Sequence, residues 1–212
     1  MQRKVREPRK IKAAVTTDRG RERAVAILEA ARYTLVCGGA SALSMRAVAT
    51  RVGISLGNLQ HYYASKEALI EALLVYMMDG YQAEISSLRE THAGSPPTER
   101  FKLVVKLLWE RVQEPQTANI LLEVWALSTR GGFAAELVRK VRAREHKAML
   151  VLLRELPGAA DRGALELRAS MIVLVMEGLL VQLSGRGVDA SQRKELVAGA
   201  MRAALRLATE PV

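Results

Sequence analysis

The stretch Ser44–Leu69, SMRAVATRVGISLGNLQHYYASKEAL, decides how the rest of the chain is read. Met45, Val48, Ala49 and Val52 fall at i, i+3, i+4 and i+7, one apolar face of a short helix. Gly53 follows, where a helix end most easily takes a left-handed residue. Ile54 then turns inward, and Ser55 is placed to cap a second short helix. Leu59 and Tyr63, four apart, form the inner face of that helix. Leu56, Gly57, Asn58, Gln60, His61 and Tyr62 are left on its outer face. Two short helices joined by a tight glycine-containing turn make the helix-turn-helix unit, whose second helix enters the major groove of DNA.

Charge supports that reading. The chain has 212 residues and a formal net charge of +10. Residues 1–66 hold 13 Lys/Arg and 4 Asp/Glu, whereas the remainder holds 19 and 18. A merely solubilising excess would be spread more evenly; a cationic head on a neutral partner domain is the footprint of a DNA-binding module. Residues 1–16 carry Arg3, Lys4, Arg6, Arg9, Lys10 and Lys12 against Glu7 alone, with Pro8 and no apolar period. They read as a flexible basic arm, able either to follow phosphates or enter a minor groove, or to add only nonspecific attraction.

Outward from the motif, apolar spacing is three and four, and no alternating strand pattern is found. An all-α fold of about nine helices is expected. Thr17 or Asp18 caps a first helix with Ala24, Ile27, Leu28, Ala31 and Leu35 inward, ended by Gly38-Gly39. Ser44 caps the next, and Ser65 caps a fourth that runs to about Arg89. Gly94-Ser95-Pro96-Pro97, Glu114-Pro115, Gly131-Gly132, Pro157-Gly158 and Gly185 mark later corners. The helix over about 162–184 is apolar nearly all round after Ala169 and must be covered on more than one side. Asp189 with Gln192 makes a capping box for a last helix over about 190–208. The domains expected are an arm (1–16), a helix-turn-helix domain (17–66) and a helical domain (67–212).

Several classes drop out. The single Cys37 rules out an internal disulfide framework and fits a reducing, cytoplasmic setting. The apolar run Met171–Leu183 contains Glu177 and Gln182 and is too short to span a membrane. His61, His92 and His146 are scattered, with no Cys/His pair, metal-ligand spacing, phosphate loop or nucleophile elbow, so neither an enzyme nor a cofactor or metal is expected.

The ordered set Ala49, Gly53, Ile54, Ser55, Gly57, Leu59, Tyr62, Tyr63, Ser65, Lys66, Glu67 and Leu69 resembles the N-terminal signature of TetR-type (TetR/AcrR family) transcriptional repressors. Gln60-His61 departs from it, since many members have an aromatic in one of these positions; base preference is thereby left open. Ser44 offers a hydroxyl and backbone N–H to phosphate, and Ser55 caps the recognition helix. Leu56 is placed for a thymine methyl, Gly57 for close backbone approach, and Asn58 and Gln60 for adenine or phosphate. The resemblance implies that His61 and Tyr62 contact phosphate or bases and that Lys66 is a phosphate clamp; Arg46 is a further candidate.

The resemblance also implies a homodimer through the last two helices, two recognition helices ~34 Å apart on an inverted-repeat operator, and a small-molecule inducer that releases the DNA. Candidate ligand-lining residues are Tyr76, Trp109, Glu123, Trp125, Phe133, Met149, Met176 and Glu177, each of which also reads as core or, for Glu123, as solvent-facing. Glu177 stands in an apolar run, where a carboxylate needs either an ion-pair partner or a ligand. Val124-Trp125-Ala126, Met176–Leu179 and Ser184-Gly185-Arg186 are similar to the C-terminal part of BetI-type repressors, which implies a choline-like inducer. The alternative is a ligand-independent dimeric regulator whose second domain serves only dimerisation.

Overall fold

A computed structural model describes residues 17–129, 132–157, 161–184 and 187–210. These residues form helices α1 (Asp18–Ala42), α2 (Met45–Val52), α3 (Leu56–Tyr62), α4 (Lys66–Thr91), α5 (Pro97–Gln113), α6 (Pro115–Ser128), α7 (Gly132–Arg154), α8 (Arg162–Ser184) and α9 (Ala190–Thr209). No strand occurs among the described residues. The basic arm 1–16 and the expected corner glycines Gly131, Gly158 and Gly185 lie outside them.

The chain divides into two compact units, one ending at Met78 and one beginning at Asp79. The division falls inside α4, whereas charge and composition placed it at residues 66/67, where α4 begins.

In the first unit the caps read from sequence are in place. Thr17, Ser44 and Ser55 each accept a backbone N–H three residues on, from Gly20, Ala47 and Asn58, at 3.1 Å. Ser65 does the same for Ala68 at 3.2 Å. Gly53 sits at φ 71°, ψ 38°, and its N–H returns to the last turn of α2. The expectation that Gly38-Gly39 ends the first helix needs correcting. The helical path breaks at Gly39 (φ 66°, ψ −173°) but resumes as far as Ala42. Such a kink frees a carbonyl, and the Lys66 ammonium donates to Ala40 O at 2.8 Å.

Ile27, Leu28, Ala31 and Leu35 of α1, Val48 and Ala49 of α2, and Leu59 of α3 are buried, as their spacing requires. α1 packs on α2, and α2 on α3. Tyr63 is buried and donates its hydroxyl to Ala24 O at 3.3 Å. Burial, then the neighbouring Tyr62, pushes its phenol up to about 12, so it keeps its donor proton.

In the second unit Phe101, Val105 and Trp109 of α5, Met149 and Leu153 of α7, Ala169 and Ile172 of α8, and Ala204 and Ala208 of α9 share one core. α8 packs against α5, α6, α7 and α9. It is nevertheless not fully covered: Leu167, Leu174 and Val181 are 50%, 58% and 52% exposed. Asp189 and Gln192 form the expected capping box of α9. At the other end of α9, the buried Arg168 donates to Ala208 O at 3.4 Å, a cation at a helix C-terminus.

The part of α4 in this unit buries Ile85 in the core, packs Leu88 against it, and is tied to its neighbours by polar groups. Asp79 meets Arg144 of α7 at 2.5 Å, Tyr81 and Thr117 of α6 share a hydrogen bond of 2.8 Å, and Arg111 of α5 reaches Glu84 at 2.6 Å. Arg89 pairs with Glu155.

At Gly53 an added Cβ would meet nothing within 4 Å, so only the left-handed backbone demands glycine. Gly53→Ala is expected to destabilise the first unit by about 1 kcal/mol, with Gly53→Asn costing less, measured by chemical denaturation.

Candidate functional site

The outward face of α3 is held by two anchors below it and a cap at its start. Leu59 and Tyr63 are buried, so the residues between and before them must point away from the core. Gly57, Asn58, Gln60 and His61 are exposed, while Leu56 and Tyr62 are half-buried. The His61 and Tyr62 rings meet edge to face, centroids 6.0 Å apart. At Gly57 a Cβ would meet nothing within 4 Å, so packing within the chain does not explain glycine there.

Beside this face lies a groove of about 290 Å³ lined by Thr17, Arg19, Gly20, Arg23, Ile54, Asn58 and Tyr62. It joins the N-terminus of α1 to the first turn of α3. The Gly20 and Asn58 N–H groups are taken up by the Thr17 and Ser55 hydroxyls, and the positive dipole ends of both helices lie beside the groove. Arg19 and Arg23 add two guanidinium groups. The Thr17 hydroxyl accepts from Gly20 N–H but keeps its own proton to donate. These elements together suit a phosphate oxygen.

Arg19 and Arg23 were missed in the sequence. Their i, i+4 spacing on the polar side of α1 was the available signal, but it looks like any solvated basic face. Arg46 is exposed, as expected of a phosphate contact. Arg51 lies over the Tyr33 ring, 4.0 Å from its centroid. Lys66, the expected phosphate clamp, is occupied with Ala40 O, so any contact with DNA would share or exchange that bond.

Residues 27–73 match the family of bacterial regulatory proteins described as tetR family. Those residues span α2, α3 and the flanking parts of α1 and α4, so the helix-turn-helix segment is the part of the chain that resembles the family. It is similar to the HTH-type transcriptional regulator BetI of Vibrio campbellii, 24% identical over 162 residues that cover 75% of this chain and 80% of that protein. An uncharacterized HTH-type regulator from the dhlA 5′ region of Xanthobacter autotrophicus is 28% identical, covering 73% and 76%. Among solved structures, a TetR transcription regulator from Haloarcula marismortui matches with a TM-score of 0.72 at 18% identity, over 90% of this chain and 98% of that one. A regulator from Saccharomonospora viridis in complex with choline matches with 0.69 at 18%, over 91% and 98%. These structural likenesses show the fold.

In the second unit the expected ligand-lining residues separate into groups. Trp109 and Met149 are buried core, with Met176 packed against the same cluster. The indole N–H of Trp109 has no hydrogen-bond partner. Phe133 and Glu123 are half-buried. Tyr76 belongs to the first unit, where burial and the nearby Glu29 raise its phenol.

Glu177 and Trp125 are linked by a residue that sequence reading passed over. Arg142 of α7 holds the Glu177 carboxylate with two bonds, Nε to Oε1 at 2.7 Å and Nη2 to Oε2 at 3.0 Å. Its guanidinium carbon lies 5.7 Å from the Trp125 ring centroid. Glu177 therefore has an ion-pair partner within its own chain. Next to this pair is Glu145, also unremarked in the sequence. Among Arg142, Arg144, His146 and Lys147 it reads as one more surface charge, yet it is half-buried. Burial first, then the negative charge of Glu177, pushes its carboxyl up to about 7 against the opposing pull of Arg142.

A carboxyl whose pKa is higher in the folded chain than in the unfolded one weakens the fold once it ionises. The penalty is absent below the ordinary carboxyl range, grows through pH 4.5–7, and is complete above 7. Glu145→Gln should therefore be more stable than the natural chain by roughly 1–3 kcal/mol at pH 8 and indistinguishable from it near pH 4.5. Equal stability gains at both pH values would contradict the assignment.

Proposed function

We propose that this regulator is a homodimeric repressor that occupies an inverted-repeat operator and leaves it when a small molecule binds the second unit. The observation that carries the reading is the joint placement of the exposed α3 face and the Arg19/Arg23 groove, which puts base-reading groups next to phosphate-binding ones. Ser44, Arg46, Ser55 and Lys66 complete the phosphate contacts, while Leu56, Gly57, Asn58, Gln60, His61 and Tyr62 face the bases and adjoining backbone.

The uncovered stripe of α8 supports the dimer. Leu167, Met171, Leu174, Gly178 and Val181 alternate by four and three along one side of the helix, the spacing of a helix–helix seam. Beside it a groove of about 660 Å³, lined among others by Val175, Gly178, Gln182, Leu196 and Gly199, lies between α8 and α9. An apolar stripe of this length next to a groove is costly to leave in water.

Release by ligand fits the way α4 is fastened. Hydrogen bonds and ion pairs along Asp79, Tyr81 and Glu84 can be exchanged at less cost than close-packed apolar contacts. A ligand that favours one arrangement of α5–α8 would thereby bias α4, and a coupling of ~1–3 kcal/mol changes operator affinity roughly 5- to 150-fold.

Duplexes selected from random DNA should contain two inverted half-sites about one helical turn apart, bound with a steep salt dependence. Arg23→Ala and Arg46→Ala should each flatten that dependence by about one unit of slope. No preference for any duplex over competitor DNA would end this reading. Leu174→Glu with Val181→Glu should give a folded monomer in sedimentation, with operator affinity lowered at least tenfold.

A further inference from the structure

We propose that the Trp125–Glu177–Glu145 cluster is a binding site for a small guanidinium or amidinium compound, and that Arg142 is its built-in occupant. The inference rests on the ligand-released reading above and names the chemistry of the ligand.

Three observations lead there. First, the cluster is one positive charge short. Two carboxylates, Glu145 and Glu177, share the single guanidinium of Arg142. The charged groups felt by Glu145 are Glu177 from α8 and Arg142 from its own helix, and burial leaves its carboxyl only half ionised near neutrality. The second charge is supplied by a proton when nothing else is bound. An incoming cation can supply it instead, releasing the proton.

Second, burial is lopsided. The Glu177 side chain is 13% exposed and that of Arg142 54%. The carboxylate is built into the wall, and the arginine reaches over it from outside. An exposed arginine can swing into water, where its charge is well solvated. A buried carboxylate cannot follow, and leaving it unpaired is costly. Displacement of Arg142 is therefore feasible only by a group that re-pairs Glu177. The space such a group needs is the space that the guanidinium vacates.

Third, the present contacts specify the group. Glu177 accepts two parallel N–H bonds from one planar cation, and the Trp125 ring lies within cation–π distance of the same carbon. A planar cation with two N–H donors on one edge reproduces both interactions. A quaternary ammonium reproduces only the second, since it has no N–H to donate. A primary ammonium lacks the fork geometry.

Methylguanidinium is the simplest probe, with tetramethylammonium as a cation lacking donors and tert-butanol as an uncharged control. Binding is read on the whole protein without DNA, by Trp fluorescence and thermal shift, so that the result is independent of operator release. In Arg142→Ala methylguanidinium should bind at least tenfold more tightly than in the natural chain, where the tethered guanidinium competes. It should also bind at least tenfold more tightly than tetramethylammonium. Glu177→Gln in the Arg142→Ala background should abolish this binding, and adding Trp125→Phe should abolish the fluorescence change while the thermal shift persists. Affinity should fall as the pH is lowered through 7, and Glu145→Gln should flatten that profile.

Should Arg142→Ala not fold, Arg142→Gln, which keeps the bulk without the charge, gives the same comparison. Equal affinity for methylguanidinium in the natural chain and the variant, or equal affinity for tetramethylammonium, would overturn the proposal. Operator affinity is then measured separately with methylguanidinium bound. Binding without any effect on DNA would leave the site standing and remove the ligand-released reading instead.

Discussion

The burial of Leu59 and Tyr63 fixes the face that α3 offers to the outside. α3 is seven residues long, far below the length at which a helix is stable in water by itself. Its orientation therefore comes from its two anchors and the Ser55 cap. Leu59 is wholly enclosed, and Tyr63 is tied through its hydroxyl to the backbone of α1. With those two positions inside, Asn58, Gln60 and His61 have no choice of direction. Gly53 sets the angle at which α3 leaves α2, through a left-handed backbone that nothing else in its surroundings enforces. A surface that reads a base sequence must be held to within fractions of an ångström. The outward face of α3 is held in place by a few core contacts and one turn.

The second unit divides its labour differently. Its interior is apolar and close-packed across α5, α7, α8 and α9. Two groups of charges tie its helices to one another, those along α4 and the cluster around Arg142. Ionic pairs at such half-buried positions add little net stability, because desolvation offsets most of their attraction. They are sensitive to exchange, however, since each group re-pairs with water or another ion at low cost.

How much of this was legible in the sequence follows from which interactions are local. The caps at Thr17, Ser44, Ser55 and Asp189 and the turn at Gly53 depend on residues three or four apart, and all were readable. So were the inner faces of α1, α2 and α3, because burial leaves a period of 3.6. The resumption of α1 beyond Gly39 was not. It is supported by a bond from Lys66 that reaches back 26 positions, and glycine pairs by themselves signal an end. The Arg19/Arg23 side of the groove was hidden because basic residues on a polar face look alike whether or not an anion docks there. Glu145 was hidden for the opposite reason. A carboxylate in a run of Arg, His and Lys reads as a solvated neighbour, and only the packing of α7 against α6 and α8 withdraws it from water. Glu177, standing in an apolar run, was flagged; its partner Arg142, 35 positions away, could be found only in three dimensions.

α4 connects these two arrangements as one unbroken helix from Lys66 to Thr91. In its first half the residues turned inward are Leu69, Ile70, Leu73 and Leu74, all buried. In its second half the ties are Asp79, Tyr81, Glu84 and Arg89, with Ile85 the buried apolar anchor. Both halves of the helix thus bury apolar side chains, each within its own unit, and the second half adds polar ties to α5, α6 and α7. Parting the first-half contacts would expose Leu69 and Leu73 to water at about 1.5–3 kcal/mol each, whereas the polar ties of the second half can re-pair with water at lower cost.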